Sequence, residues 1–240
     1  MKIYYYREVD STMDLAHKFA EKGISEGSII LADIQRKGRG RKGNKWYSPE
    51  GGLWFSIILY PKLQDIKDLN FFPLLIGVSV LQGLQDFLSQ PINLKWPNDL
   101  EIDGKKVGGI IIEGKWENNN LKYLIIGIGI NLFIPLEFFN KMGINGTSLL
   151  QYLKEKNKFV ILEIIYKKIM ENYKEFPKNK GKILSFYTEK FPYIGKEVTI
   201  HSEFSQKLVK ILNIDEDGSL IVDEGGLLKK YSWGVISVRP

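Results

Sequence analysis

Cysteine is absent from all 240 residues, which excludes disulfides and thiolate metal centres. Only two histidines occur, His17 and His201, too few for a histidine cluster, so any bound metal must be held by oxygen. No apolar run is long enough to span a bilayer. The longest, residues 123–136, is broken by Asn131, and the N-terminal M-K-I-Y-Y-Y-R-E lacks a signal-peptide core. The expectation is a soluble intracellular protein, cytoplasmic and without a membrane partner. No internal repeat is visible. Excess charge is modest, 34 Lys+Arg against 28 Asp+Glu, and 44% apolar content suffices for one domain plus a small appendage.

What charge there is concentrates in one place. Residues 35–56 read Q-R-K-G-R-G-R-K-G-N-K-W-Y-S-P-E-G-G-L-W-F-S, with six cations (Arg36, Lys37, Arg39, Arg41, Lys42, Lys45) interleaved with Gly38, Gly40 and Gly43 and no acid up to Lys45. Glycines let backbone N–H groups turn toward an anion, and arginines offer planar forks to phosphate oxygens. The stretch reads as an anion-holding loop, or as a solvated basic loop or nucleic-acid contact if taken alone. Left empty, it should be hard to order, because glycine loses much conformational freedom and like charges repel. It is neither a Walker A loop nor a dinucleotide fingerprint, since no G-K-[ST] closes it and no helix pattern follows.

Around this loop, strands are expected over residues 3–9, 27–34, 53–59, 92–96, 105–113 and 121–131, with helices over 14–23, 69–88 and 159–176. Ser11 followed by Asp14 has the form of a capping box, although a Ser11–Thr12 hydroxyl pair at a strand-to-helix turn could equally face a pocket. From Gly195 onward come short alternating runs separated by Asp217-Gly218 and Gly225-Gly226. They predict a five-stranded SH3-like barrel, giving domains 1–191 and 192–240. Gly108 and Gly109 in K-K-V-G-G-I, and Gly127 and Gly129 in G-I-G-I-N, strip side chains from central strands. Either a flat ligand lies on the exposed backbone, or a helix crosses closely.

In order, S-T-M-D, G-R-G-R-K-G-N-K-W-Y-S-P, K-W-P-N-D-L, G-K-K-V-G-G-I-I-I-E and I-G-I-G-I-N closely resemble the biotin protein ligases over residues 10–131, and the tail ending V-I-S-V-R fits that family's C-terminal domain more loosely. The resemblance implies an α+β fold: a mixed β-sheet flanked by helices, like that of class II aminoacyl-tRNA synthetases, with the small β domain appended. It implies ATP and biotin as substrates, Mg2+, a biotinyl-5′-AMP intermediate, and a biotin carboxyl carrier protein, such as an acetyl-CoA carboxylase subunit, as acceptor. A homodimer is implied, and no DNA partner, because the S-T turn at residue 11 leaves no room before it for the winged helix-turn-helix that some relatives carry.

Carried over residue by residue, the resemblance assigns catalysis to Lys106, Arg39 and Arg41. Biotin falls to Ser11, Thr12, Met13, Gln35, Gly38, Arg39, Gly40, Arg41, Lys106, Gly109, Gly127 and Gly129. The adenylate falls to Arg39, Arg41, Trp46, Asn98, Lys106, Asn131 and Arg239. No residue is firmly a metal ligand, Asp99 being the one candidate. Adenylation suits this set, since a carboxylate approaching a phosphate needs fixed cations more than a covalent nucleophile. Two positions depart from the family: Met13 stands where S-T-N is usual, and Asn44 where some relatives carry arginine. Alternatives are a lipoate or octanoate ligase or transferase, and a nucleic-acid-binding module built on the basic loop.

Overall fold

The computed structural model describes residues 1–62, 66–201, 206–232 and 237–239. In chain order the elements of the first half are β1 (Ile3–Val9), α1 (Thr12–Glu21), β2 (Ile29–Gln35), β3 (Leu53–Leu59), α2 (Phe72–Leu84), β4 (Asn93–Lys95), β5 (Asp99–Ile102), β6 (Lys105–Glu117) and β7 (Asn120–Ile130). There follow α3 (Leu136–Met142), α4 (Lys158–Glu175), α5 (Lys180–Glu189), β8 (Glu197–His201), β9 (Gln206–Ile214), β10 (Leu220–Glu224), β11 (Leu227–Tyr231) and β12 (Ser237–Arg239). The class is α+β, a mixed sheet flanked by helices plus a C-terminal antiparallel sheet. No described helix is long and apolar enough to cross a membrane.

Two compact units emerge, and they do not follow the chain linearly. The first comprises residues 1–62, 86–91 and 101–164. Its sheet is ordered β1-β2-β3-β7-β6, with β1 parallel to β2 and every other neighbour antiparallel. All seven residues of β3 are buried, as its L-W-F-S-I-I-L run requires of a central strand. Helix α1 lies on β2, β3 and β7 and sets Met13, Ala16 and Ala20 against Ile30, Ile58 and Ile125. Three small or unbranched side chains keep the helix close to the sheet.

The second unit comprises residues 63–85, 92–100 and 165–240. Helix α2 is apolar all round, and Gln82 alone of its residues is not buried. It is shorter than the helix expected over 69–88, because Pro73 occupies its first turn and a 3-10 turn (Gln85–Phe87) ends it. A Cβ at Gly83 would stand 2.7 Å from the Ile165 Cα, so glycine is what lets these two backbones approach. The C-terminal strands form an antiparallel sheet in the order β11-β10-β9-β8-β12. In K-W-P-N-D-L, the buried Trp96 donates its indole N–H to the Gly218 carbonyl at 2.9 Å, which gives that residue a structural task at the Asp217-Gly218 turn.

Candidate active site

The site is assembled in the first unit, where β1 gives way to α1 and β2 gives way to the basic loop. Ser11 is the N-cap residue of α1, extended at φ −155 and ψ 133, yet its side chain makes no capping bond. The capping box read from Ser11 and Asp14 is not formed, because both side chains are engaged by Arg39. Its Nη1 donates to Ser11 Oγ at 3.1 Å and to Asp14 Oδ1 at 2.7 Å.

The helix is capped from another strand instead. Gln35, the last residue of β2, accepts the Thr12 backbone N–H at Oε1 over 2.9 Å. An N–H can donate only to the oxygen of that carboxamide, so Nε2 is the atom that donates to Ser48 Oγ at 2.9 Å. Thr12 Oγ1 also donates to Oε1 at 3.0 Å, and with its proton committed there it accepts from Ser56 Oγ at 2.8 Å. Thr12, Ser48 and Ser56 are buried. This corner is uncharged, and its proton directions are fixed by the protein alone.

The neighbouring corner is ionic. Arg39 Nε and Nη2 meet Glu113 Oε1 and Oε2 in parallel, each at 2.9 Å, the fork-to-carboxylate geometry in which arginine binds most strongly. His17 Nε2 lies 2.8 Å from Glu113 Oε2, and its Nδ1 3.3 Å from the Tyr123 hydroxyl. Ser11, Asp14 and His17 recur at intervals of three and so share one edge of the helix end. Burial pushes the Glu113 carboxyl up, but hydrogen bonds from His17 and Arg39 outweigh it and hold the group at about 2. The same Glu113 bond pushes the Arg39 guanidinium above its usual range.

Contrary to the expectation of a self-repelling loop, the first three cations are interleaved with acids from elsewhere in the chain. Glu8 pairs with Arg36, Asp10 with Lys37, and Asp14 and Glu113 with Arg39. The loop is a tight hairpin, closed by Trp46 N to Gly38 O at 2.9 Å and Gly40 N to Asn44 O at 2.7 Å. A Cβ at Gly38 would stand 2.5 Å from the Trp46 carbonyl oxygen, so this approach requires glycine. Arg41 opens the short 3-10 turn at the tip (Arg41–Gly43), where Lys42 is left-handed at φ 54.

The glycine floor is bare of Cβ atoms but not of cover. A Cβ at Gly127 would lie 2.5 Å from Met13 Sδ and 2.7 Å from Ile111 Cγ2. At Gly129 it would meet Trp46 Nε1 at 2.7 Å, and at Gly109 the Lys106 Cε at 3.2 Å. Met13, only 4% exposed, is thus a core side chain beneath the site, and the polar contact usual at that position is replaced by packing. Trp46 is propped edge-on by Trp54, ring centroids 6.3 Å apart, and its buried indole N–H has no partner among the described residues.

Lys106 opens β6. Its carbonyl accepts from Thr147 N at 2.9 Å, and Asn131 Nδ2 donates to the Thr147 carbonyl at 2.9 Å, so the buried Asn131 braces the strand that carries the lysine. The ammonium lies 5.1 Å from the Trp46 ring centroid. Arg39 and Lys106 rest against different residues of β6. Gly109, against which the ammonium folds, and Glu113, which holds the guanidinium, are four residues apart on β6, roughly 13 Å at about 3.3 Å per residue. Asn98 and Asp99 belong to the second unit. The Arg239 backbone pairs with Thr199, and its side chain lies outside the described residues. Among those residues no group of three or more His, Asp or Glu could hold a metal ion.

Sequence reasoning missed Glu113, His17, Asp14, Ser48 and Ser56. The signals were an acid directly after the I-I-I run and a serine inside L-W-F-S-I-I-L, polar groups next to or within apolar runs.

Residues 5–131 match the model of the Biotin/lipoate A/B protein ligase family. The Bifunctional ligase/repressor BirA of Bacillus subtilis is 32% identical over 235 residues, 96% of this chain and 72% of that protein. The Biotin–[acetyl-CoA-carboxylase] ligase of Paracoccus denitrificans is 34% identical over 125 residues, 51% of each chain. Among solved structures, the biotin protein ligase from Aquifex aeolicus in complex with biotin and ATP superposes with a TM-score of 0.80 at 34% identity, covering 99% of this chain and 98% of that one.

Proposed function

The chain belongs to the biotin/lipoate A/B protein ligase family, and from that premise we infer that it is a biotin protein ligase, joining biotin to a protein at the expense of ATP. In the first half-reaction a biotin carboxylate oxygen attacks the α-phosphorus, the bond to the bridging oxygen breaks, and biotinyl-5′-AMP and pyrophosphate form. In the second, the amine of a carrier lysine attacks the acyl carbon, the C–O bond to AMP breaks, and the nitrogen gives up a proton as the amide forms. The carrier is a biotin carboxyl carrier protein. The observation that carries this reading is the likeness, along nearly the whole chain, to a ligase solved with both substrates.

Within that reaction, Lys106 is assigned to the meeting of carboxylate and phosphate. A fixed ammonium on a rigid strand end lessens the repulsion between two anions, and its place over Gly109 and the Trp46 ring supports the assignment. Arg41, at the hairpin tip, is assigned to the phosphates. Trp46 is assigned to the adenylate, supported by a buried N–H that a ligand acceptor would satisfy. Ser11, Thr12, Gln35 and Arg39 line the biotin end, with Gly38, Gly40, Gly109, Gly127, Gly129 and Met13 supplying backbone and floor. Asn131 and Asn98 are kept on the adenylate side. Mg2+ would arrive with ATP and offset the charge of its phosphates, with Asp99 as its candidate protein ligand. Residues 1–191 are proposed as the catalytic domain and 192–240 as an SH3-like domain, since β8 to β12 pair only with one another. A cytoplasmic homodimer joined through a sheet edge, without a DNA partner, completes the proposal.

The test is mass spectrometry of a biotin carboxyl carrier domain incubated with the chain, ATP-Mg2+ and biotin. One added biotinyl group is expected, and none with lipoate or octanoate. An unmodified carrier, with no biotin-dependent release of pyrophosphate, would refute the reading.

A further inference from the structure

Glu113 and His17 have no place in the reaction as written, yet they are bonded to one another and, through Glu113, to Arg39. Glu113 spends both oxygens on Arg39, and a third bond comes from His17. Arg39 in turn donates Nη1 to Ser11 Oγ at 3.1 Å, and Ser11 is 98% buried at the helix end. A hydroxyl has one proton and two lone pairs. A guanidinium can only donate, so it takes a Ser11 lone pair and leaves the Ser11 proton pointing elsewhere. Among the described residues no acceptor takes that proton. One position along, Thr12 is the opposite case: its proton is committed to Gln35, one lone pair is taken by Ser56, and what it has left can only accept. Two adjacent hydroxyls, set to opposite polarity by their own partners, match a cyclic urea, which presents a carbonyl oxygen flanked by N–H groups.

We propose that Glu113 is a positioning residue for biotin recognition: by clamping Arg39 against Ser11 it fixes the Ser11 hydroxyl as a donor to the ureido oxygen. The inference rests on the biotin ligase reading. It adds a residue that never touches substrate, and a reason for Arg39 to be held at Glu113, four residues along β6 from the glycine against which the lysine folds. His17 bonds the same carboxylate at 2.8 Å, and Asp14 shares Arg39 at 2.7 Å. A ligand bearing a donor where biotin bears its oxygen, such as the protonated imino analogue of biotin, is disfavoured by the same polarity.

The experiment is calorimetric titration of biotin and of 2-iminobiotin, held at a pH where it is protonated, into the parent, Glu113→Gln, Ser11→Ala and the double variant. KM for ATP and melting temperature are recorded alongside. In Glu113→Gln a 10-fold or greater loss of biotin affinity is expected, with less than a 2-fold change in KM for ATP. The preference for biotin over the imino analogue should shrink, and the loss should largely vanish in the Ser11→Ala background. Unchanged biotin affinity in a folded Glu113→Gln protein would overturn the proposal, as would an equal loss with and without Ser11, or parallel losses for biotin and ATP. If Glu113→Gln fails to melt cooperatively, Glu113→Asp is read by the same criteria, since it keeps the charge but withdraws the fork. A parent that binds no biotin would refute the ligase reading instead.

Discussion

Two corners of one site are built from contrasting materials. Around Gln35, four uncharged side chains close on one another with every proton direction forced, and the strand that carries Gln35 also caps the helix that carries Thr12. Around Arg39, two acids, one of them bonded in turn to a histidine, hold a guanidinium that is 27% exposed. The uncharged corner needs little more than burial and shape, so salt and pH should barely touch it. The ionic corner balances desolvation against strong bonds, and it answers to both salt and pH. Hydroxyls and an amide therefore face the ligand in both corners, while the charges around Arg39 are paired within the protein and act through the hydroxyl they hold.

The sharpest way to break this contrast is to treat the cations as one patch. Lys106→Ala should slow biotin-dependent pyrophosphate release by about 10²- to 10³-fold, the cost of one lost transition-state donor, whereas Arg39→Ala should act mainly through the KM for biotin. Identical kinetic signatures in the two variants would merge what the geometry separates.

Next in size is the uncharged corner itself. Thr12→Val keeps the shape but strands a Gln35 lone pair and a Ser56 hydroxyl in a buried place. A loss of about 1–3 kcal/mol in urea unfolding is expected, the same in low and high salt. A salt-dependent loss would mean that the corner is electrostatically tied to its neighbour.

The smallest effect concerns acid. Glu113 is held at about 2, below its ordinary 4.5, so its contribution to stability is complete above pH 4.5 and is lost as pH falls toward about 2. With the side chain 30% exposed, the amount is about 1–2 kcal/mol after screening. Glu113→Gln should flatten that part of the stability–pH curve and Thr12→Val should not, as melting temperatures between pH 5 and 2.5 would record.

Much of the scaffold was legible from periodicity: β1 and β3 fall where their residues predicted, and α4 begins one residue early. Helix α5 went unread because only Ile183 and Tyr187 of its ten residues are buried, too few to print a stripe. In the site, the Gly109, Gly127 and Gly129 gaps were visible, but not what fills them. Met13 and Trp46 reach those gaps from distant parts of the chain, and local pattern carries no record of such meetings. Glu113 escapes local pattern for a related reason: the cations gather in the loop, while the acid that holds one of them lies within β6, directly after an apolar run. Ser11 misled because its spacing to Asp14 imitates a capping box while both side chains serve Arg39.

The hydrogen in place of a side chain at residue 127 ties that position to residue 13. A methyl group there would meet the Met13 thioether at 2.5 Å and the Ile111 branch at 2.7 Å, so growth at 127 calls for a shorter side chain at 13 and a rearranged or smaller one at 111. A survey of natural variants should find long side chains at 13 only beside glycine at 127, a compensating pair running through the interior between α1 and β7.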